Sequence, residues 1–211
     1  SLNYLKQEGI ITNTDAERFG MRANLEYKVN SWLKVGARLN YIRRNSQEPF
    51  DLSRVFFIQS GAAPFIAPYT RDGRFGSVEA IAQDGTLLYD NRNPLIDASN
   101  GATKTTLDYM SLNAFATVDF TKDLNLQVTW ASNGNWKMVD KYNETLYGYT
   151  DSGIETMTIN YNRDGLEMSR EQISTMRNNF HATLNYSKKF VEKHSVAGIL
   201  GAQLENYNIK N

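Results

Sequence analysis

Three stretches of this chain, Phe19 to Tyr41, Leu112 to Trp130 and Phe180 to Leu204, each contain two arms of alternating apolar and polar residues around a short polar turn. In the first, Phe19, Met21, Ala23, Leu25, Tyr27 and Val29 alternate with Gly20, Arg22, Asn24, Glu26, Lys28 and Asn30. After the turn, Leu33, Val35, Ala37, Leu39 and Tyr41 resume against Lys34, Gly36, Arg38 and Asn40. A period of two is the period of a strand, so each stretch reads as a β-hairpin with one apolar and one polar face. The second copy turns through Thr121, Lys122 and Asp123, and the third turns near Glu192 and Lys193.

Arm length and the placement of charge limit what such hairpins can do. A tilted strand needs about nine to eleven residues to cross a hydrocarbon layer, and these arms have that length. Leu25, Tyr27, Leu33, Val35, Leu39, Ala116, Val118, Leu126, Val128, Leu184 and Leu200 form the candidate lipid-facing set. Arg22, Glu26, Lys28, Lys34, Arg38 and Asp119 fall on the other parity, as do two exceptions to the pattern, Phe115 and Ile199. Periodicity alone leaves a second reading open, because a soluble antiparallel sheet with one face on a core alternates in the same way.

The connections favour the membrane reading. The three hairpin turns are short, whereas the connections Arg43 to Leu107 and Ser132 to Asn179 are long. Outer-membrane barrels have that asymmetry, with short periplasmic turns and long extracellular loops. With Leu2 to Gln7 as a further strand, seven strands follow one another. Tyr27, Trp32, Phe120, Tyr186 and Phe190 stand near the short-turn ends, where an interfacial aromatic girdle is expected. The predicted fold is therefore all-β, an antiparallel meander forming residues 1–211 of a larger transmembrane barrel, with 43–107 and 132–179 as external connections. Neither end carries a signal sequence or terminal signature, and both read as internal to a longer chain.

Composition excludes several classes. Hydrophobic residues make up 41% with no long apolar run, so no transmembrane helix is expected. Lysine plus arginine equals aspartate plus glutamate at 23 each, which removes the global electrostatic case for nucleic acid. Cysteine is absent, so disulfides and thiolate metal sites are impossible.

Within the first long connection, Glu48 to Gln59 has helical spacing with Asp51 or Ser53 as N-cap. Pro64 and Pro68 interrupt regular structure, while Asp72-Gly73, Asp84-Gly85 and Asn93-Pro94 read as tight turns. The second alternates from Lys137 to Tyr149 and from Ile154 to Tyr161, consistent with strands running past the bilayer and joined by Asp151 to Gly153.

The order Gln7-Glu8-Gly9-Ile10-Ile11, Glu17-Arg18-Phe19 and Trp32-Leu33-Lys34-Val35-Gly36 resembles the barrel region of SusC/RagA-type TonB-dependent outer-membrane transporters. So do Pro64 to Gly73, ending in Asp-Gly, the Asn93-Pro94-Leu95 element, and the hairpin around Lys188-Lys189-Phe190 and Lys193-His194-Ser195. The resemblance implies a barrel of about 22 strands with a plugged lumen. It also implies an energy-coupling TonB partner, a SusD-like surface lipoprotein, and import of glycans or peptides. The plug, the TonB-contacting segment and the closing strand of that family are not among these residues.

No catalytic constellation or cofactor motif emerges, and an enzyme is not expected. His181 and His194 lack ligand-spaced neighbours, Ser195 beside His194 is no triad, and no phosphate-cradling glycine loop occurs. Asp140 with Glu144, or Glu167 with Glu171, would have to face each other across a cleft to act as a glycosidase pair. The Asp-Gly sites at Asp72, Asp84 and Asp164 lack the spacing of a calcium loop. Ligand contact is expected from Tyr69, Arg71, Arg74, Phe75, Tyr89, Tyr142, Tyr147, Tyr149 and Tyr161, since aromatic faces beside polar arms suit sugar rings. Another large outer-membrane barrel for adhesion or secretion, and a soluble β-sandwich binding module, are the alternatives.

Overall fold

The computed structural model describes residues 1–62, 64–81, 83–90, 92–157, 167–190 and 194–210. Its main element is one antiparallel sheet of seven strands: β1 (Leu2–Glu8), β2 (Asp15–Lys28), β3 (Leu33–Pro49), β6 (Ala102–Asp119), β7 (Leu124–Asn143), β10 (Glu167–Phe190) and β11 (His194–Lys210). They lie side by side in chain order, a meander with no crossover. Among the described residues the sheet is open: β1 pairs only with β2, and β11 only with β10. Two small hairpins, β4 (Val78–Ile81) with β5 (Leu87–Asp90) and β8 (Tyr147–Tyr149) with β9 (Glu155–Met157), join helices α1 (Leu52–Gly61) and α2 (Pro94–Ser99) at one end.

The alternation predicts the register well. Leu25, Ala37, Ala114, Trp130, Phe180 and Leu204 form one continuous cross-strand row. Tyr27, Val35, Ala116 and Val128 form the next, and Leu33, Val118, Leu126, Leu184 and Leu200 the one after that. All eleven candidate lipid-facing residues consequently share one sheet face. Nothing among the described residues packs over it. Leu25 is 70% exposed and Leu200 72%, whereas the buried apolar residues are Val55, Ile58, Ile96, Ala98, Ala102 and Val139, mainly at the helix-bearing end.

Local chemistry explains the turns. Asn30 accepts hydrogen bonds from the backbone of Trp32 at 3.0 Å and Leu33 at 2.8 Å, an Asx turn closing β2 onto β3. Phe120 donates to Leu124 at 3.0 Å to close β6 onto β7. The third hairpin turn, at Glu192 and Lys193, lies outside the described residues. The β1–β2 connection, 9–14, is short yet stands at the same end as the long connections.

Phe115, an exception to the alternation, lies over Gly36 on the neighbouring strand, where an added Cβ would run into its ring. The Arg38 guanidinium covers that ring at 5.0 Å from its centroid. The aromatic thus covers glycine backbone on the polar face, a role that depends on a strand distant in sequence.

Three expectations need correction. The first helix begins at Leu52, because Glu48 and Pro49 continue β3 opposite Thr103 and Ala102. Asp51 is its N-cap, accepting from the Arg54 backbone at 2.9 Å. Asn93-Pro94 is the start of α2, with Asn93 as N-cap and Pro94 in the first turn, where the missing proline N–H has no cost. Finally, strand pairing extends well into 43–107 and 132–179, so irregular chain is confined to narrower segments. The Asp72-Gly73 and Asp84-Gly85 turns form as expected, with φ of 84° at Gly73 and 83° at Gly85. Asp164 lies outside the described residues. No helix among those described is long and apolar enough to cross a membrane, which says nothing about strands.

Candidate functional site

The two long connections fold against each other at the helix-bearing end. Asn93, only 2% exposed, anchors them. Its side-chain amide donates to the carbonyls of Pro68 at 2.9 Å and Gly76 at 3.0 Å, and its carbonyl oxygen accepts from Leu95 at 3.1 Å. One side chain therefore caps α2 and holds both flanks of the 69–75 loop, leaving no part of the buried amide unsatisfied. Arg54 pairs with Asp97 at 2.5 Å and ties α1 to α2. Burial raises the Asp97 pKa despite that partner.

From this base the 69–75 loop projects as a tight turn. Thr70 donates to the Asp72 carboxylate, and the Arg74 backbone donates to Thr70 Oγ1 at 3.1 Å. Tyr69 and Phe75 are bridged across the turn, and their rings stack 5.7 Å apart at 26°. Arg74, hydrogen-bonded through Nε to Asp72 at 2.7 Å, lies 4.0 Å from the ring centroid of Tyr149 in the other connection. Backbone bonds secure the junction: Tyr149 N–H donates to Phe75 at 2.7 Å, and Ser77 N–H donates to Tyr149 at 2.9 Å. Behind it, buried Thr156 Oγ1 is 2.8 Å from Ser77 Oγ and 2.9 Å from the Gly148 carbonyl.

The electrostatics follow from these contacts. Hydrogen bonds from Arg74 and then Thr70 bring the Asp72 pKa down to about 2, and Asp72 in turn raises that of Arg74. The Tyr149 hydroxyl donates to Glu155 at 3.1 Å, which raises the phenol pKa. Asp72, Arg74 and Tyr149 thus hold their ordinary charges across neutral pH. The result is an aromatic pair with Tyr69 55% exposed, beside a fixed cation–π stack. A cavity of about 290 Å³ opens next to it, lined by Phe65, Thr70, Ser77, Val78, Thr150 and Ser152 among others. Such a surface can stack a planar or ring-shaped ligand and donate hydrogen bonds to it.

Of the candidate ligand residues, Tyr69, Arg74, Phe75 and Tyr149 come together here. Arg71 sits exposed in the same turn. Tyr147 lies in β8 opposite Met157, and Tyr89 in β5 opposite Glu79. Tyr142 belongs to β7 opposite Ala102 and Met168, where the Lys104 ammonium is 5.8 Å from its ring. Tyr161 lies outside the described residues. Sequence reading missed Asn93 as the organising residue. Its signal was present in the Asn-Pro pair, which suits an N-cap and N1 as well as a turn. Among the described residues no three His, Asp or Glu side chains gather to hold a metal ion.

A comparison with known families finds no matching family model, and no curated protein matches the chain.

Proposed function

We propose that this chain is a sector of the wall of a TonB-dependent outer-membrane importer of the SusC/RagA type, taking up glycans or peptides with a SusD-like lipoprotein. The observation that carries the membrane part is the apolar face. Its row of Leu25, Ala37, Ala114, Trp130, Phe180 and Leu204 has no charge, and several of its large side chains are exposed. A soluble sheet would cover that face with a second layer, whereas lipid covers it in a membrane wall.

The outline of the apolar band adds support. The band runs from Phe19 on β2 to Val29 just past its end, about the length a tilted strand needs to cross hydrocarbon. On β11 it runs from Val196 to Leu204. The Phe19 row reaches β10 at Ser174, six residues from Phe180, the partner of Leu204. The Val29–Leu33 pairing leads to Leu184, four residues from Lys188, the partner of Val196. Both edges step the same way over five neighbouring strand pairs. At about 3.3 Å per residue and 4.8 Å per strand, the band is inclined by roughly 30–40° to the rows. Barrel strands are tilted by about 35–45° for the same reason: the membrane is level and the strands are not.

In this reading the Tyr69–Phe75 and Arg74–Tyr149 surface faces outward and meets cargo or the lipoprotein, both of which favour exposed aromatics with a fixed arginine. No step of bond chemistry is assigned to it. The test is fractionation of the full-length protein with a heat-modifiability assay, followed by uptake in cells lacking it. Recovery in the aqueous phase without detergent would contradict the membrane part. Normal growth on every glycan and peptide source in its absence would contradict the import part.

A further inference from the structure

Overall neutrality hides a local excess of positive charge. On the polar face of the β2–β3 hairpin, Arg18 stands directly opposite Arg44, and Lys28 directly opposite Lys34. Arg22 and Arg38 lie between them, paired with Asn40 and Asn24. All six are exposed, and among the described residues none forms an ion pair. Glu26 is the sole carboxylate in the interval. Elsewhere on this face charge is mixed, as where Arg177 meets Glu205 at 3.5 Å.

Like charges placed directly opposite in an antiparallel pair repel, and this hairpin contains two such pairs. The ten steps from Arg18 to Lys28 extend about 33 Å, from the end of the long connections to the end of the short turns. A single phosphate or carboxylate would occupy only a fraction of that length. Asn24, Asn40, Ser111, Asn113 and Thr117 stand among the cations on the same face and supply donors and acceptors for hydroxyl groups. Phe115 has its ring covered by Arg38, so the strip has no free aromatic ladder for stacking nucleobases.

We infer that this strip is a binding track for an extended anionic oligosaccharide whose sugars carry carboxylate or sulfate groups. Anionic groups engage the arginines and lysines, and sugar hydroxyls engage the amides and hydroxyls between them. The inference deepens the import reading by naming a cargo class, and it rests on that reading for the polar face opening onto a lumen. The cations then lower the energy of the chain along the whole wall.

The test measures binding of an oligogalacturonate long enough to span the strip to the full-length protein in detergent, with its methyl-esterified, uncharged form as control. The acidic form binds and the esterified form does not, and affinity falls as salt rises. R18Q with R44Q, or K28Q with K34Q, each lowers affinity roughly tenfold or more. Both variants relieve repulsion, so folding survives. Phenylglyoxal labels Arg18 and Arg44 in the free protein, and the oligogalacturonate slows that labelling. Equal binding of both forms, unchanged affinity in the variants, preference for oligoglutamate, or arginines already protected without ligand would each overturn the proposal. Fractionation reports separately: binding by a protein absent from the outer membrane would sink the import reading alone.

Discussion

Phe19 on β2 and Leu204 on β11 end the apolar band on the same sheet face, yet the cross-strand row of Phe19 meets β10 six residues away from the partner of Leu204. A band set by a flat lipid layer has to run obliquely across tilted strands in this way. The stepped outline ties the hydrogen-bond register to the environment of the face.

Charge placed on that face is the first prediction. Leu25→Arg and Val128→Arg each impair insertion by about 2–4 kcal/mol, the cost of an arginine near the bilayer midplane. Asn24→Arg and Gln127→Arg, on the opposite face, cost far less. Folding into liposomes, followed by heat-modifiability and urea titration, measures the difference.

Gly36 and Phe115 make a second. Gly36→Val drives a side chain into the Phe115 ring and destabilises the β3–β6 pairing by about 1–3 kcal/mol. Pairing it with Phe115→Ala recovers part of the loss by making room. Urea titration of the single and double variants reads out the coupling.

At the loop end, Asn93→Ala leaves the Pro68 and Gly76 carbonyls without their buried donor and removes the α2 cap. The loss is about 1–3 kcal/mol and local. Protease cleavage in 50–101 rises while strand insertion and heat-modifiability stay unchanged.

The Asp72–Arg74 pair sets a pH dependence. Its folded pKa of about 2 lies below the ordinary aspartate value, so the contribution is fully present above about pH 4 and is lost as pH falls toward 2. Tyrosine fluorescence sensitive to Arg74 over Tyr149 stays constant from neutral pH to about 4 and changes below it. Asp72→Asn removes that transition.

How much of this was legible in the sequence depends on the range of each interaction. The face shared by Leu25, Val128 and Leu200 follows from local alternation, because a period of two fixes the side of the sheet wherever the strand pairs. The N-cap was legible as Asp51 or Ser53, because a cap is a contact within one turn, and the structure selects Asp51. Phe115 looked like a flaw until Gly36, on another strand, supplied its partner. Asn93-Pro94 was ambiguous because one dipeptide suits a turn or a helix start, and burial decided between them. The Arg74–Tyr149 stack joins two separate connections, and no local pattern announces such a contact. The obliquity of the apolar band needed the complete register, since each hairpin alone shows only its own edges.

In the proposed membrane wall, Leu25 and its row face lipid while Asn24 and its row face water. Nitroxide labels at positions 25 and 24 of the full-length protein, inserted in liposomes, measure this directly by collision with oxygen and with a water-soluble nickel chelate. A wall position gives an oxygen-accessible, nickel-protected label at 25 and the reverse at 24. Equal nickel access at both positions would contradict it.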